Sequence, residues 1–222
     1  MLYAFGEIVL VVIGILIALQ INNWNENRKL DENEALLINN IIKDLLSDND
    51  HINQSLGEID RQLNLVDALI AKAIDPSKAI NYENVGLVRY SSDFRPKTQR
   101  NHSEAVSNLK NENVHKILQS YFLIEDRVSD IFLEYERILH EEIRPYLRES
   151  GMHNLNSLYL RGNAQEIPMM LQPAILDSAL KDVKFQQLLY ERRLKTASFQ
   201  KLLNDLEKEN DELIRILTSD KN

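Results

Sequence analysis

The fold of this chain is decided at its amino end, where residues 2–26 read LYAFGEIVLVVIGILIALQINNWNE. Every residue from Ile8 to Leu19 is apolar or glycine, and the apolar tract extends from Leu2 to Ile21 with Glu7 and Gln20 as its polar members. About 20 helical residues span about 30 Å, which is the thickness of the hydrocarbon core of a bilayer. The pattern therefore predicts a transmembrane helix that anchors the chain.

Two other interpretations of this tract are a buried core helix and a signal peptide. A signal peptide needs a basic start and a cleavage site with small residues, and neither is evident here. Tyr3 and Trp24 flank the tract, and amphipathic aromatic side chains prefer the headgroup region of a membrane. We interpret these two residues as membrane-boundary anchors.

One face of the predicted helix differs from the others. At about 100° per residue, Tyr3, Glu7, Gly14 and Ala18 lie on nearly the same side. Gly14 and Ala18 form a pair of small residues four apart, which lets another helix approach closely. A carboxylate that faces lipid is costly, so Glu7 should face a partner helix or water, or be protonated. These four residues are the predicted interface between membrane helices. In the alternatives, Glu7 reaches the headgroups or belongs to an ion or proton pathway.

The block from Gly6 to Glu26 resembles the amino-terminal signature of an uncharacterised bacterial family of single-pass membrane proteins. The polar run QINNWN at residues 20–25 makes this resemblance specific. The resemblance implies a membrane location and a helical domain, and it brings no known activity from which catalytic residues could be transferred. Members of the family usually carry a basic segment ahead of this block, which would place the helical domain in the periplasm, outside the bacterial inner membrane. Here the nearest basic residues are Arg28 and Lys29, which would favour a cytoplasmic domain instead.

Composition restricts the possible functions. The chain has 222 residues, 26 basic and 34 acidic, and a net charge of −8. An acidic surface repels nucleic acid, so we expect no DNA or RNA partner. The absence of cysteine excludes disulfides, thiolate nucleophiles and cysteine-ligated metals. Membrane lipid and either a second copy of the chain or another membrane protein are the expected partners.

The region that follows the apolar tract shows a heptad pattern, in which apolar residues recur in steps of three and four. Only Asn49 interrupts this seam in polarity. Its members are Ala35, Ile38, Ile42, Leu45, Asn49, Ile52, Leu56, Ile59, Leu63, Val66, Ile70 and Ala73. The membrane helix could continue into this region as one rod, with a bend near Asn22–Asn25 as the competing picture. Proline disfavours a helical residue before it, so Asp75-Pro76 should end this long helix, which is predicted from about 26 to 74.

Two more long helices are predicted, from about 111 to 149 and from about 174 to 218. Asn111 or Asn113 can cap the start of the first, and Pro145 should kink or end it. Irregular connections are expected at about 76–102 and 151–173. The predicted fold is all-α: a transmembrane anchor over residues 1–24 that continues into an antiparallel helical bundle of long coiled-coil-like helices over residues 25–222.

Few residues suggest chemistry. Glu112-x-x-His115 and Asp48-x-x-His51 have the spacing of di-iron ligands, but a real site needs two such pairs and two further carboxylates. Phosphate-loop, nucleophile-elbow and zinc-protease motifs are absent from the sequence. We therefore expect no metal, no cofactor and no enzymatic activity. The leading hypothesis is a membrane-anchored structural or interaction protein, either a homo-oligomer or an accessory subunit of a larger membrane complex. The alternatives are a helical ligand-binding or sensor domain and an ion-coupled membrane component that uses Glu7.

Overall fold

A computed structural model of the chain describes residues 2–92, 94–107, 109–159 and 169–219. The side chains that it describes begin at residue 10 and exclude those of residues 158–159. In this part of the chain the secondary structure is helical throughout, apart from one isolated antiparallel bridge between His153 and Leu171.

The first helix, α1, runs without interruption from Leu2 to Ile74. The helix therefore continues without a break through residues 22–25, where a bend was the alternative. Helix α1 ends directly before Asp75-Pro76, as the proline rule predicts. Asp75 then forms a tight turn, in which its Oδ1 accepts hydrogen bonds from the backbone N–H and the hydroxyl of Ser77, at 3.0 and 2.7 Å.

The prediction of a membrane-spanning anchor is wrong. Within the described part of the chain, no helix combines the length and the apolar character that a bilayer crossing requires. The transmembrane part of the predicted fold and the predicted location in a bacterial inner membrane are therefore both corrected by this finding.

The chain after α1 first runs back along it, because Ser92 contacts Gln62 and Lys110 contacts Asp31. A 3-10 helix, Tyr82–Arg89, is followed along the chain by the short helix α2, Thr98–Val106. Helix α3, Glu112–Arg137, is followed by a π-helical turn, Ile138–Ile143, and by α4, Arg144–Glu149. After the short helices α5, Asn156–Tyr159, and α6, Pro173–Ala179, the last helix, α7, covers Val183–Ser219. Residues 160–168, within the predicted irregular connection, lie outside the described part.

Helices α1, α3 and α7 form the bundle. Helices α1 and α7 are antiparallel, because Asn49 contacts Asp211 near one end of the pair and Asp67 contacts Arg193 near the other. The core between the helices includes Ile52, Phe185 and Phe199, all completely buried. The predicted helical bundle is confirmed, but it is not antiparallel throughout. Helix α3 runs parallel to α1, because Asn111 contacts Glu34 and Tyr135 contacts Gln62.

The buried stripe of α1 differs from the predicted seam. It follows the same steps of three and four but is shifted by one position at every second member. The stripe consists of Ile41, Leu45, Asp48, Ile52, Ser55, Ile59, Gln62, Val66 and Leu69. Three polar residues spaced by seven, Asp48, Ser55 and Gln62, therefore lie on the buried side of α1. Leu63 of the predicted seam is buried as well, whereas Ile42, Asn49, Leu56 and Ile70 of that seam are only half-buried.

Pro145 neither ends nor breaks the helical path from Glu112 to Glu149. The turn before it widens to π-helical hydrogen bonding, in which the Arg144 N–H donates to the Leu139 carbonyl, five residues earlier. A proline ring collides with the carbonyl four residues before it in a regular α-helix, and a wider turn relieves that clash. The predicted kink or end is thus replaced by a π-helical turn.

Candidate functional site: a cationic cleft beside two buried carboxylates

The predicted interface residues lie along the amino-terminal part of α1. The backbone of Tyr3 and Glu7 is helical, and their side chains lie outside the described part of the chain. Ala18 is exposed, and a Cβ added at Gly14 would meet no atom within 4 Å. Trp24 is 66% exposed, with the Arg28 guanidinium 5.8 Å from its ring centroid. The roles predicted for these five residues stay predictions.

This part of α1 forms an apolar arm, residues 10–24, that no other described element covers. Its apolar side chains are between 47% and 72% exposed, from Val12 and Ile13 at the lower limit to Leu10 at the upper. The first fully buried side chain of α1 is that of Ile41. The arm therefore leaves the bundle with apolar surface on all its sides.

A different site forms where the chain approaches α2. Asp48 of α1 is completely buried and accepts hydrogen bonds from the backbone N–H groups of Lys97 and Thr98, the latter at 3.0 Å, and from the Thr98 hydroxyl at 2.9 Å. The first N–H groups of a helix lack partners within the helix, and a carboxylate satisfies them well. Asp48 thus takes the place of a local capping residue, since the side chain at the cap position, Lys97, makes no capping bond.

A second carboxylate reaches the same helix end from the opposite side. Glu125 of α3 is also completely buried, and its Oε2 accepts the Gln99 N–H at 3.0 Å. Burial and the negative charge of Asp48 raise the pKa of Glu125 to about 8, although the Gln99 N–H opposes the shift. At neutral pH, Glu125 therefore holds its proton in most molecules, and one buried negative charge remains at this helix end.

The segment fixed by these carboxylates carries three cationic side chains into a cleft against α1. The cavity has a volume of about 370 Å³. We call it the cationic cleft, and it is lined by His51, Gln54, Ser55, Glu58, Arg95, Lys97 and Arg100. Glu58 is its single acidic wall residue, in a chain whose net charge is −8. Cationic residues are therefore concentrated here against the overall charge of the protein.

Contacts within the cleft leave part of its positive charge available. Lys97 Nζ donates to the Ser47 hydroxyl at 2.8 Å, which is a neutral partner. Arg100 is exposed and forms no ion pair with any residue in the described ranges. Glu58 Oε1 accepts a 3.4 Å hydrogen bond from Gln54, so the acidic wall is held along α1. His51 Nδ1 lies 2.7 Å from the Ser47 carbonyl oxygen.

A second polar cluster stabilises the stretch before the cleft. Arg192 of α7 is completely buried, and its Nη2 donates to the backbone carbonyls of Leu87 and Tyr90, at 3.2 and 2.9 Å. Gln62 of α1 accepts hydrogen bonds from Arg192 and from the Tyr135 hydroxyl. The Nε and Nη1 atoms of Arg192 have no hydrogen-bond partner among the described residues. The two carbonyl bonds hold the end of the 3-10 helix and the residue that follows it against α7.

The spacing pairs that resembled metal ligands do not converge. Asp48 points toward α2 while His51 contacts the Ser47 carbonyl. Within the described ranges, no group of three or more histidine, aspartate or glutamate side chains is arranged to hold a metal ion.

Sequence reasoning missed Asp48 and Glu125 as buried groups. A signal for Glu125 was present, because Tyr121, Glu125 and Val128 are spaced by four and three, which places Glu125 on the apolar stripe of α3. Asp48 likewise lies three residues after Leu45 and four before Ile52. A charged residue in the phase of a core stripe could have marked Glu125, but Asn49 fits between Leu45 and Ile52 as well as Asp48 does, so the spacing does not select Asp48.

Comparison with known proteins gives one match. Residues 7–83 match the model of a family of unknown function (DUF6090). The match covers the apolar arm, the remainder of α1 and the start of the 3-10 helix, and it ends before the cationic cleft is completed. Neither the curated proteins nor the solved structures gave a match.

Proposed function

We propose that this protein is a non-enzymatic structural or interaction protein that self-associates through the apolar arm, residues 10–24 of α1. The exposure of the arm carries the proposal. A helix that is apolar on all sides is normally covered in its working state, and large exposed apolar patches mark interaction sites. Covering this surface stabilises an assembly by about 25 cal/mol for each Å² removed from water.

A second copy of the chain is the occupant that the pattern favours. Val11, Gly14, Ala18 and Ile21 are spaced by three, four and three residues, which is the spacing of a helix-pairing seam. The open space around Gly14 lets the backbone of a partner approach closely.

Charge in the following turns supports the same partner. This region carries an acidic residue, then two basic and then two acidic residues: Glu26, Arg28, Lys29, Asp31 and Glu32. Two copies aligned along this region can place opposite charges beside each other, whereas a segment of one sign would repel its copy.

Sedimentation velocity of the full chain over a range of concentrations, in buffer and in a mild non-ionic detergent, tests the proposal. We expect a concentration-dependent dimer or larger oligomer. Replacing both small residues, Gly14→Leu with Ala18→Leu, should weaken association by at least about tenfold because the helices can no longer approach closely. Leu16→Ile, on the opposite face, is the matched control and should associate like the parent. A monomer at every concentration, or equal loss in both variants, contradicts the proposal.

A further inference from the structure

We propose that the cationic cleft is a binding site for a small phosphate-bearing anion, either inorganic phosphate or a phosphate monoester. The site is separate from the apolar arm, because its residues lie between Ser47 and Arg100 in the body of the bundle. The inference therefore does not depend on self-association.

The arrangement of donors carries the inference. Arg95, Lys97 and Arg100 enter one cavity from a single short segment, and Arg100 has no ionic partner among the described residues. Guanidinium groups present planar forks of N–H donors that match phosphate oxygens, and an ammonium adds a point charge. An acidic protein that collects three cations around one cavity has the complementarity that a dianion needs.

The cleft is also held in shape before any ligand arrives. Asp48 accepts the backbone N–H groups of Lys97 and Thr98, and Glu125 accepts that of Gln99. These bonds hold the backbone of residues 97–99 in place, so the basic side chains of this segment are attached to a fixed backbone. A preorganised site loses less entropy on binding than a loop that must first be ordered.

The size and the acidic wall restrict the ligand class. A volume of about 370 Å³ lies at the small end of ligand cavities and exceeds one phosphate group. Glu58 repels any anion in the cavity, and the buried charge of Asp48 is already compensated by its hydrogen bonds. A compact anion that reaches Arg100 and Lys97 while avoiding Glu58 fits best.

Isothermal titration calorimetry of the full chain with inorganic phosphate and, separately, with glycerol phosphate tests the site. We expect binding at millimolar concentrations or below that weakens as sodium chloride is added. Tighter binding of glycerol phosphate identifies an ester as the ligand, and tighter binding of inorganic phosphate identifies the free ion. At a fixed ionic strength, exchanging chloride for acetate should leave the affinity unchanged, because neither ion competes with phosphate for the site.

Three variants make the test specific. Arg100→Gln should weaken binding at least about tenfold, because a charge-assisted hydrogen bond is lost from an exposed side chain that the fold does not need. Glu58→Gln should strengthen it about two- to threefold, because a like charge is removed from the wall. Lys201→Gln removes the same charge as Arg100→Gln from an exposed position on α7 and should change affinity by less than about twofold. Absence of binding to the parent chain, or equal weakening in the Arg100 and Lys201 variants, overturns the proposal.

Discussion

Asp48 shows how one side chain can organise a functional region. It lies in the middle of the longest helix, yet its hydrogen bonds all go to the start of α2, about 50 residues later in the chain. Buried polar groups are retained when their partners are complete, and a missing partner costs more than the bond contributes. The stability of the cleft therefore depends on a residue that does not line it.

Asp48→Asn is expected to lower the free energy of unfolding by about 3 kcal/mol. The amide keeps one acceptor oxygen but turns its NH₂ group toward the N–H donors of Lys97 and Thr98. Urea unfolding monitored by circular dichroism measures the change. Asp50→Asn, two positions away and exposed, is the control and should remain within about 0.5 kcal/mol of the parent. Equal stability of the two variants would show that the cap contributes nothing.

Glu125 should make stability depend on pH. Its pKa is raised from 4.5 to about 8 in the folded protein, so the folded state holds the proton more tightly than the unfolded state. The stability contributed by this group is complete below about pH 4.5 and is lost as the pH rises through about 8. Within this window the contribution falls by at most about 1.4 kcal/mol for each pH unit.

Glu125→Gln should remove that dependence, because glutamine keeps an acceptor for the Gln99 N–H and cannot ionise. The measurement is the free energy of unfolding at several pH values between 5 and 9, compared between the parent and the variant. We expect the parent to lose stability relative to the variant as the pH rises. Parallel curves for the two proteins would refute the assignment.

At the scale of the element, α1 shows that the spacing of its apolar residues and the choice of which residues are buried are separate properties. The steps of three and four were predictable from the sequence, because apolar residues that face a neighbouring helix must recur at this period. The same spacing does not predict which of the two adjacent isoleucines, Ile41 or Ile42, is buried. The structure buries Ile41 completely and leaves Ile42 only half-buried.

This pair of adjacent isoleucines provides a direct test of the phase. Ile41→Ala should cost about 3 kcal/mol of unfolding free energy, since it opens a cavity in the core. Ile42→Ala removes the same atoms from a half-buried position and should cost about half as much. Chemical denaturation of both variants provides the comparison. A larger loss for Ile42→Ala would support the seam predicted from the sequence.

At the scale of the whole molecule, the bundle and the apolar arm are energetically separate. Described side chains from residue 10 to residue 33 are exposed, apart from the half-buried Asn25, so they contribute little to the core. Removing residues 1–24 should therefore change the free energy of unfolding of the bundle by less than about 1 kcal/mol. The same truncation should abolish the proposed self-association.

Two measurements on the truncated chain check both halves of this prediction. Denaturant unfolding reports the stability of the bundle, and sedimentation velocity reports its oligomeric state. Substantial destabilisation would mean that the arm packs on the bundle, in contrast to its exposure in the structure. Persistent oligomers would place the self-association surface elsewhere on the molecule.

What the sequence determined by itself was local: long helices, a stop at Asp75-Pro76 and an apolar amino end. These follow from helix periodicity and from the backbone restriction of proline, which act over a few residues. Only the tertiary structure decided that Asp48, Ser55 and Gln62 lie on the buried side, that Glu125 meets Asp48 at the start of α2, and that the cationic side chains share one cleft. A polar residue is buried only when a partner from elsewhere in the chain satisfies it, and no local pattern in the sequence identifies that partner.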